Sequence, residues 1–147
     1  MIKRLLWIAV LILGCSSLGQ AQRFSAGGGL TLVSPNGAPL AFGLSFQFSA
    51  LNLVNLGAVR VDARLSTDID FGSGGAIGLS AFGRFNLGVL DLYLGPTLNV
   101  SFTRGFGVGA VLGIRSPVSA SIGVFGEVEF LFTPASLRLR GGLAIPL

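Results

Sequence analysis

Leu40-Ala41-Phe42-Gly43-Leu44-Ser45-Phe46-Gln47-Phe48-Ser49 alternates without a miss between large apolar and small or polar side chains. At a period of two, Leu40, Phe42, Leu44, Phe46 and Phe48 lie on one face of a β-strand, and Ala41, Gly43, Ser45, Gln47 and Ser49 on the other. The alternation recurs about eight times along the chain. Its second face carries glycine, serine and a few charges where a soluble protein would show lysine and glutamate. Such a chain is suited to lipid outside and a filled core inside.

The first residues carry a different signature. Residues 1–21 read as a cleaved signal peptide, with Lys3 and Arg4 as the charged start, Leu5 to Gly14 as a short apolar run, and Gly19-Gln20-Ala21 as the cleavage site. The apolar run is too short to span a bilayer. Cleavage after Ala21 leaves 126 of the 147 residues, 22–147, as one domain. Cys15, the only cysteine, falls inside the leader, so the mature chain would have no disulfide and no thiol chemistry. Ile12-Leu13-Gly14-Cys15 offers a second reading, a bacterial lipoprotein box with Cys15 as the lipidated residue.

Hydrophobic residues make up 51% of the chain and charged residues 11%, a balance extreme for a water-soluble domain. Past the leader, glycine, serine, asparagine or a charge interrupts every window of about 20 residues, which excludes helical spans. The remaining route into a membrane is a closed β-barrel. With Lys3 and Arg4 set aside, eight basic residues, all arginine, stand against six acidic ones. The small excess makes no case for nucleic acid. Arginine-only usage fits interior bidentate pairing as well as an arginine-rich codon bias.

Turn signals divide the mature chain into strands at about 23–33, 40–54, 58–71, 76–86, 89–102, 106–115, 119–132 and 137–147. An even count near eight suits an antiparallel up-and-down barrel with both termini at one end. All seven connections are short. Two of them, the second and the fourth, share Asn-Leu-Gly, at Asn55-Leu56-Gly57 and Asn86-Leu87-Gly88, and are expected to form the same turn.

Counting side chains by face tests this register. Ten of the twelve phenylalanines share the apolar face: Phe24, Phe42, Phe46, Phe48, Phe71, Phe85, Phe102, Phe106, Phe130 and Phe132. Phe82 and Phe125 fall opposite. Twelve of the fourteen mature charges occupy that opposite face: Arg60, Asp62, Arg64, Asp68, Asp70, Arg84, Asp91, Arg115, Glu127, Glu129, Arg138 and Arg140. A lipid-facing charge at mid-bilayer costs about 2–4 kcal/mol, and none is placed there. A soluble barrel would also alternate, with its apolar face inward. Strand glycines decide against it, because a water-exposed face gains nothing from them, whereas a narrow eight-stranded interior has room only for small side chains.

With this pattern the chain resembles the small eight-stranded outer-membrane β-barrel class, the OmpA-like and OmpX-like proteins. The resemblance implies an all-β, antiparallel, closed transmembrane barrel exported to the bacterial outer membrane. It implies outer-membrane lipid and barrel-assembly machinery as partners. Relatives in that class usually carry longer outward loops, Trp/Tyr girdles and a C-terminal aromatic. Here the loops are minimal, Tyr93 is the single tyrosine, and the chain ends Leu143-Ala144-Ile145-Pro146-Leu147. Phenylalanines near strand ends, such as Phe24, Phe71 and Phe102, stand in for the girdle. Pro96 lacks an amide donor in a fold without a free edge, so a bulge is expected there.

A tight turn at Asn86-Leu87-Gly88-Val89 would set Arg84 opposite Asp91 and Phe82 opposite Tyr93, and Phe132 paired with Leu137 across the last turn would set Glu129 opposite Arg140. The interior then holds two clusters: Arg60, Asp62, Arg64, Arg84, Asp91 and Tyr93 towards the termini, and Glu127, Glu129, Arg138 and Arg140 towards the other end. Buried charges must be paired. They form either a structural plug, favoured by the narrow lumen, or a gated polar path. Glu129→Ala is expected to leave Arg140 unpaired.

The chain has no histidine, which removes Ser-His nucleophiles and histidine metal ligands. Glu127 and Glu129 form a carboxylate pair on paper, but arginines face them. Asp68-Ile69-Asp70-Phe71-Gly72-Ser73 resembles the start of a calcium loop, yet Leu79 stands where its glutamate belongs. Gly27-Gly28-Gly29 and Gly105-Phe106-Gly107-Val108-Gly109 lack the helix of a phosphate site. The expectation is a non-enzymatic barrel with no cofactor, no metal and no nucleic acid, serving a structural or envelope-maintenance role. Two alternatives are a narrow pore and a secreted soluble β-barrel binding an apolar ligand. The phenylalanine-rich belt also offers a surface for self-association.

Overall fold

The computed structural model describes residues 23–35, 40–72, 74–133 and 135–147; the expected leader, with Cys15, lies outside the described residues. Eight strands follow one another: β1 (Arg23–Pro35), β2 (Ala41–Asn55), β3 (Val59–Asp70), β4 (Gly74–Asn86), β5 (Asp91–Ser101), β6 (Gly105–Pro117), β7 (Gly123–Thr133) and β8 (Ala135–Pro146). Each pairs antiparallel with its sequence neighbours, and β1 pairs with β8 to close the barrel. The Leu147 amide donates to the Phe24 carbonyl at 2.8 Å, which joins the end of the chain to its start. The β2–β3, β4–β5 and β6–β7 connections share the end that holds the termini, and the others lie at the far end.

The two faces separate as the alternation requires. All ten phenylalanines assigned outward are exposed, from Phe24 and Phe85 at 38% to Phe42 at 67%, while Phe82 and Phe125 are buried inside. Phe24 stacks on Phe48 and Phe130 meets Phe132 edge-on, so the rings cover the outer surface in pairs. Phe42, Phe71, Phe102, Phe106 and Phe132 gather towards the far end, whereas the terminal end shows Leu56, Leu87, Val89 and Val118 at its turn tips. The soluble reading, with phenylalanines as the core, is overturned by this outward placement.

The two Asn-Leu-Gly turns have one geometry. Gly57 and Gly88 have φ of 81° and 90°, and their amides bond back to Asn55 Oδ1 at 3.0 Å and Asn86 Oδ1 at 3.1 Å. Leu56 and Leu87 each donate to the carbonyl three residues on, at 2.9 Å. That closure makes the β4–β5 loop two residues longer in register than a tight turn. Asn86, not Arg84, pairs with Asp91, and Arg84 pairs with Tyr93. Across the β7–β8 turn Phe132 pairs with Ala135, so Glu129 stands opposite Arg138 and Glu127 opposite Arg140. Both corrections are slips of two residues, which leave every side chain on its expected face.

The bulge expected at Pro96 is absent. The β5–β6 register runs through Pro96↔Ala110 without a shift, and on the β4 side the register is the same before and after the proline. Bulges occur instead in β2, between Ala50 and Val54, and where β6 meets β7 beside Val108. Asn52 in the first bulge takes φ 58°, a conformation asparagine tolerates. The strand expected from residue 119 begins at Gly123. Val118 and Ser119 both donate to Ile122 O, and Ser121 N bonds Ser119 Oγ at 3.2 Å, a local pattern that competes with the ladder.

Candidate functional site

Among the described residues, chemistry-bearing side chains converge in the lumen. Alternation aims Asp62, Arg64, Ser66, Asp68 and Asp70 of β3 inward, and all five are buried. They meet Glu127 and Glu129 of β7 and Arg138 and Arg140 of β8, also buried. Arg140 Nε and Nη2 donate to Asp68 at 2.9 and 2.7 Å, Nη1 reaches Glu127 at 2.8 Å, and Nη2 also bonds Glu129. Arg138 bridges Asp68 and Asp70, the latter at 2.7 Å. On the other side Glu127 receives Arg64 and the Tyr93 hydroxyl, which donates at 2.8 Å. Gln47 spans the same pair, accepting from Arg64 and donating to Glu127, each at 3.2 Å.

The result is one continuous chain of ion pairs, Asp70–Arg138–Asp68–Arg140–Glu127–Arg64, with Glu129 attached at Arg140. Two separate clusters were expected; Glu127 joins Arg64 and Tyr93 of the first to the second. Asp68 and Asp70 open the stretch that resembles the start of a calcium loop. Both are buried and held by arginines, which rules out that loop. Glu129 also accepts from Thr97 and Asn99, at 3.3 and 3.4 Å. Because Arg140 binds three carboxylates, removing Glu129 does not leave it unpaired.

A second node lies nearer the terminal mouth. Arg84 Nε donates to Asp62 at 2.6 Å, Nη1 to Asp91 at 3.2 Å, and Nη2 to Asn52 Oδ1 at 2.7 Å, while Asn52 N bonds Asp62 Oδ1 at 2.7 Å. The β2 bulge therefore has a partner inside the barrel. Sequence reasoning missed Asn52; the signal was Leu51-Asn52-Leu53-Val54, where strict alternation fails. Arg60, expected in this cluster, is exposed and joins no ion pair among the described residues. Phe82 and Tyr93 are not directly opposite, yet their rings meet at 5.2 Å, and the Arg64 guanidinium lies 4.5 Å above Phe82.

Tyr93 lies flat across Gly113, where a Cβ would come within 2.3 Å of the ring. A glycine is required there for the phenol to reach Glu127. The carboxylates that general acid–base chemistry would use are each bonded to arginine, and no group of side chains able to hold a metal occurs among the described residues. What the arrangement does chemically is neutralise buried charge across the bore.

A closed eight-stranded antiparallel barrel with a charged interior and an apolar exterior is the architecture of small outer-membrane β-barrels. Solved structures of that class share the fold. Neisserial surface protein A matches at 16% identity over 84% of this chain and 96% of its own, with a TM-score of 0.52. Ail, the attachment invasion locus protein of Yersinia pestis, matches at 14% identity over 86% and 97%, with a TM-score of 0.54. A de novo designed transmembrane β-barrel matches at 9% identity over 88% and 100%, with a TM-score of 0.62. No protein-family model and no curated protein sequence matches the chain. Since a designed chain shares the architecture, the architecture assigns no physiological task.

Proposed function

We propose that this chain is a non-enzymatic protein of the bacterial outer membrane with a structural or envelope-maintenance role, a plugged barrel whose working surface is its apolar belt. The observation that carries this reading is the ion-pair chain across the lumen from Asp70 to Arg64, set inside a wall of exposed phenylalanine and leucine. Eight strands enclose a bore only wide enough for side chains, and four arginines with their carboxylates fill it. On this reading the signal peptide directs export, outer-membrane lipid is the main partner, and barrel-assembly machinery inserts the closed sheet. Short connections leave little surface for adhesion.

A narrow pore through the same barrel is the competing function, and conductance separates the two. Purified protein in planar bilayers is expected to give no discrete openings. Openings abolished by Arg84→Ala or Asp91→Ala would replace the plug with a pore.

A further inference from the structure

At the terminal end of the lumen a vestibule remains above the plug, with about 40 Å³ of free volume. Arg64, Arg84 and Arg115 line it against a single carboxylate, Asp62. The plug does not use all of this positive charge. Arg84 is saturated by Asp62, Asp91 and Asn52. Arg64 is 4% exposed, and only its Nη1 is engaged, by Glu127 and Gln47. Its Nε and Nη2 are buried without an acceptor. Those two N–H groups point the same way and form the side-on fork of a guanidinium, the edge that takes two oxygens of one oxyanion. Arg115 faces Asp91 in the β5–β6 register, but Asp91 is taken by Arg84 at 3.2 Å and Asn86 at 2.8 Å, and Arg115 joins no ion pair among the described residues.

We propose that the terminal-side vestibule is a binding site for one small oxyanion, a carboxylate or phosphate group, seated on the Nε–Nη2 fork of Arg64 with Arg115 as the second cation. Buried donors without acceptors are costly; both N–H groups are closed to solvent in this structure, so an oxyanion satisfies them once a turn of the Arg64 side chain brings the fork to the vestibule. Phe82 lies against the guanidinium, its ring centroid 4.5 Å from the central carbon. The volume admits one such group or a few waters, and excludes a large solute. The site depends on the plug that holds Arg64 in place, and it goes beyond the structural role proposed above.

The test uses the full mature barrel, labelled with ¹⁵N and reconstituted in lipid nanodiscs, with the arginine Nε–H resonances as readout. Sodium acetate and inorganic phosphate are titrated against sodium chloride at fixed ionic strength. The Arg64 resonance is expected to move saturably with acetate, phosphate or both, which also identifies the class. Arg115→Gln, which breaks no ion pair, is expected to weaken that response at least about fivefold while the barrel keeps its resistance to SDS. Arg64→Lys keeps the charge, loses the fork and is expected to abolish saturation at Arg115. Shifts that follow chloride equally, or saturation unchanged in Arg115→Gln, overturn the site and leave the barrel and its plug untouched.

Discussion

Asp68 is the residue on which most of the buried charge turns. It accepts from both Arg138 and Arg140, whereas Glu129 is bonded to one arginine, which keeps two other carboxylates. Without Asp68, Arg138 keeps Asp70 and Arg140 keeps Glu127 and Glu129, so neither guanidinium is left alone; the loss is of three charge-assisted hydrogen bonds to two arginines. Asp68→Asn is therefore expected to lower unfolding stability in lipid by about 1.5–3 kcal/mol, and Glu129→Gln by less; equal losses in a guanidinium titration would contradict the network. Gly113→Ala places a methyl into the Tyr93 ring and is expected to cost about 1–3 kcal/mol through overpacking, with the Tyr93 fluorescence altered. The sequence placed Asp68 on the inner face but could not show its partners. Those lie 70 and 72 residues away, and no local pattern records which side chains cross the bore.

At the scale of strands and turns, the period of two was legible and the register was not. Across the β4–β5 and β7–β8 turns the expected faces held because both slips were of two residues, and a shift of two preserves parity. Turn length sets that slip, and it depends on which amide closes the loop, as at Leu87. The β2 bulge was hidden for a related reason, since Asn52 is stabilised by Asp62 and Arg84 rather than by its neighbours in sequence. Gly57→Ala and Gly88→Ala, in turns of one geometry, are expected to destabilise by similar amounts, about 1 kcal/mol each, from the positive φ. The belt gives a steeper contrast. Leu79→Arg, at mid-strand on the lipid side, is expected to cost about 2–4 kcal/mol, and Leu87→Arg, at a turn tip, about 0–1 kcal/mol; both are read from unfolding in vesicles.

For the molecule as a whole, closure and inside-out polarity were both written in the composition. Glycine and serine opposite phenylalanine leave no water-facing surface, and an open sheet in lipid would strand its edge amides. Closure through β1 and β8 satisfies them and leaves the charged bore as the one polar interior. The physiological task was not legible, because a barrel with short loops presents mostly hydrocarbon to its surroundings. The central claim, a closed hydrogen-bonded barrel seated in lipid, is tested most directly by electrophoresis of the washed envelope fraction in SDS with and without boiling. The expected result is a membrane-retained band whose mobility shifts only after heating. A band released into the soluble fraction with no shift would contradict the account, because the phenylalanine face would then have to be turned inward.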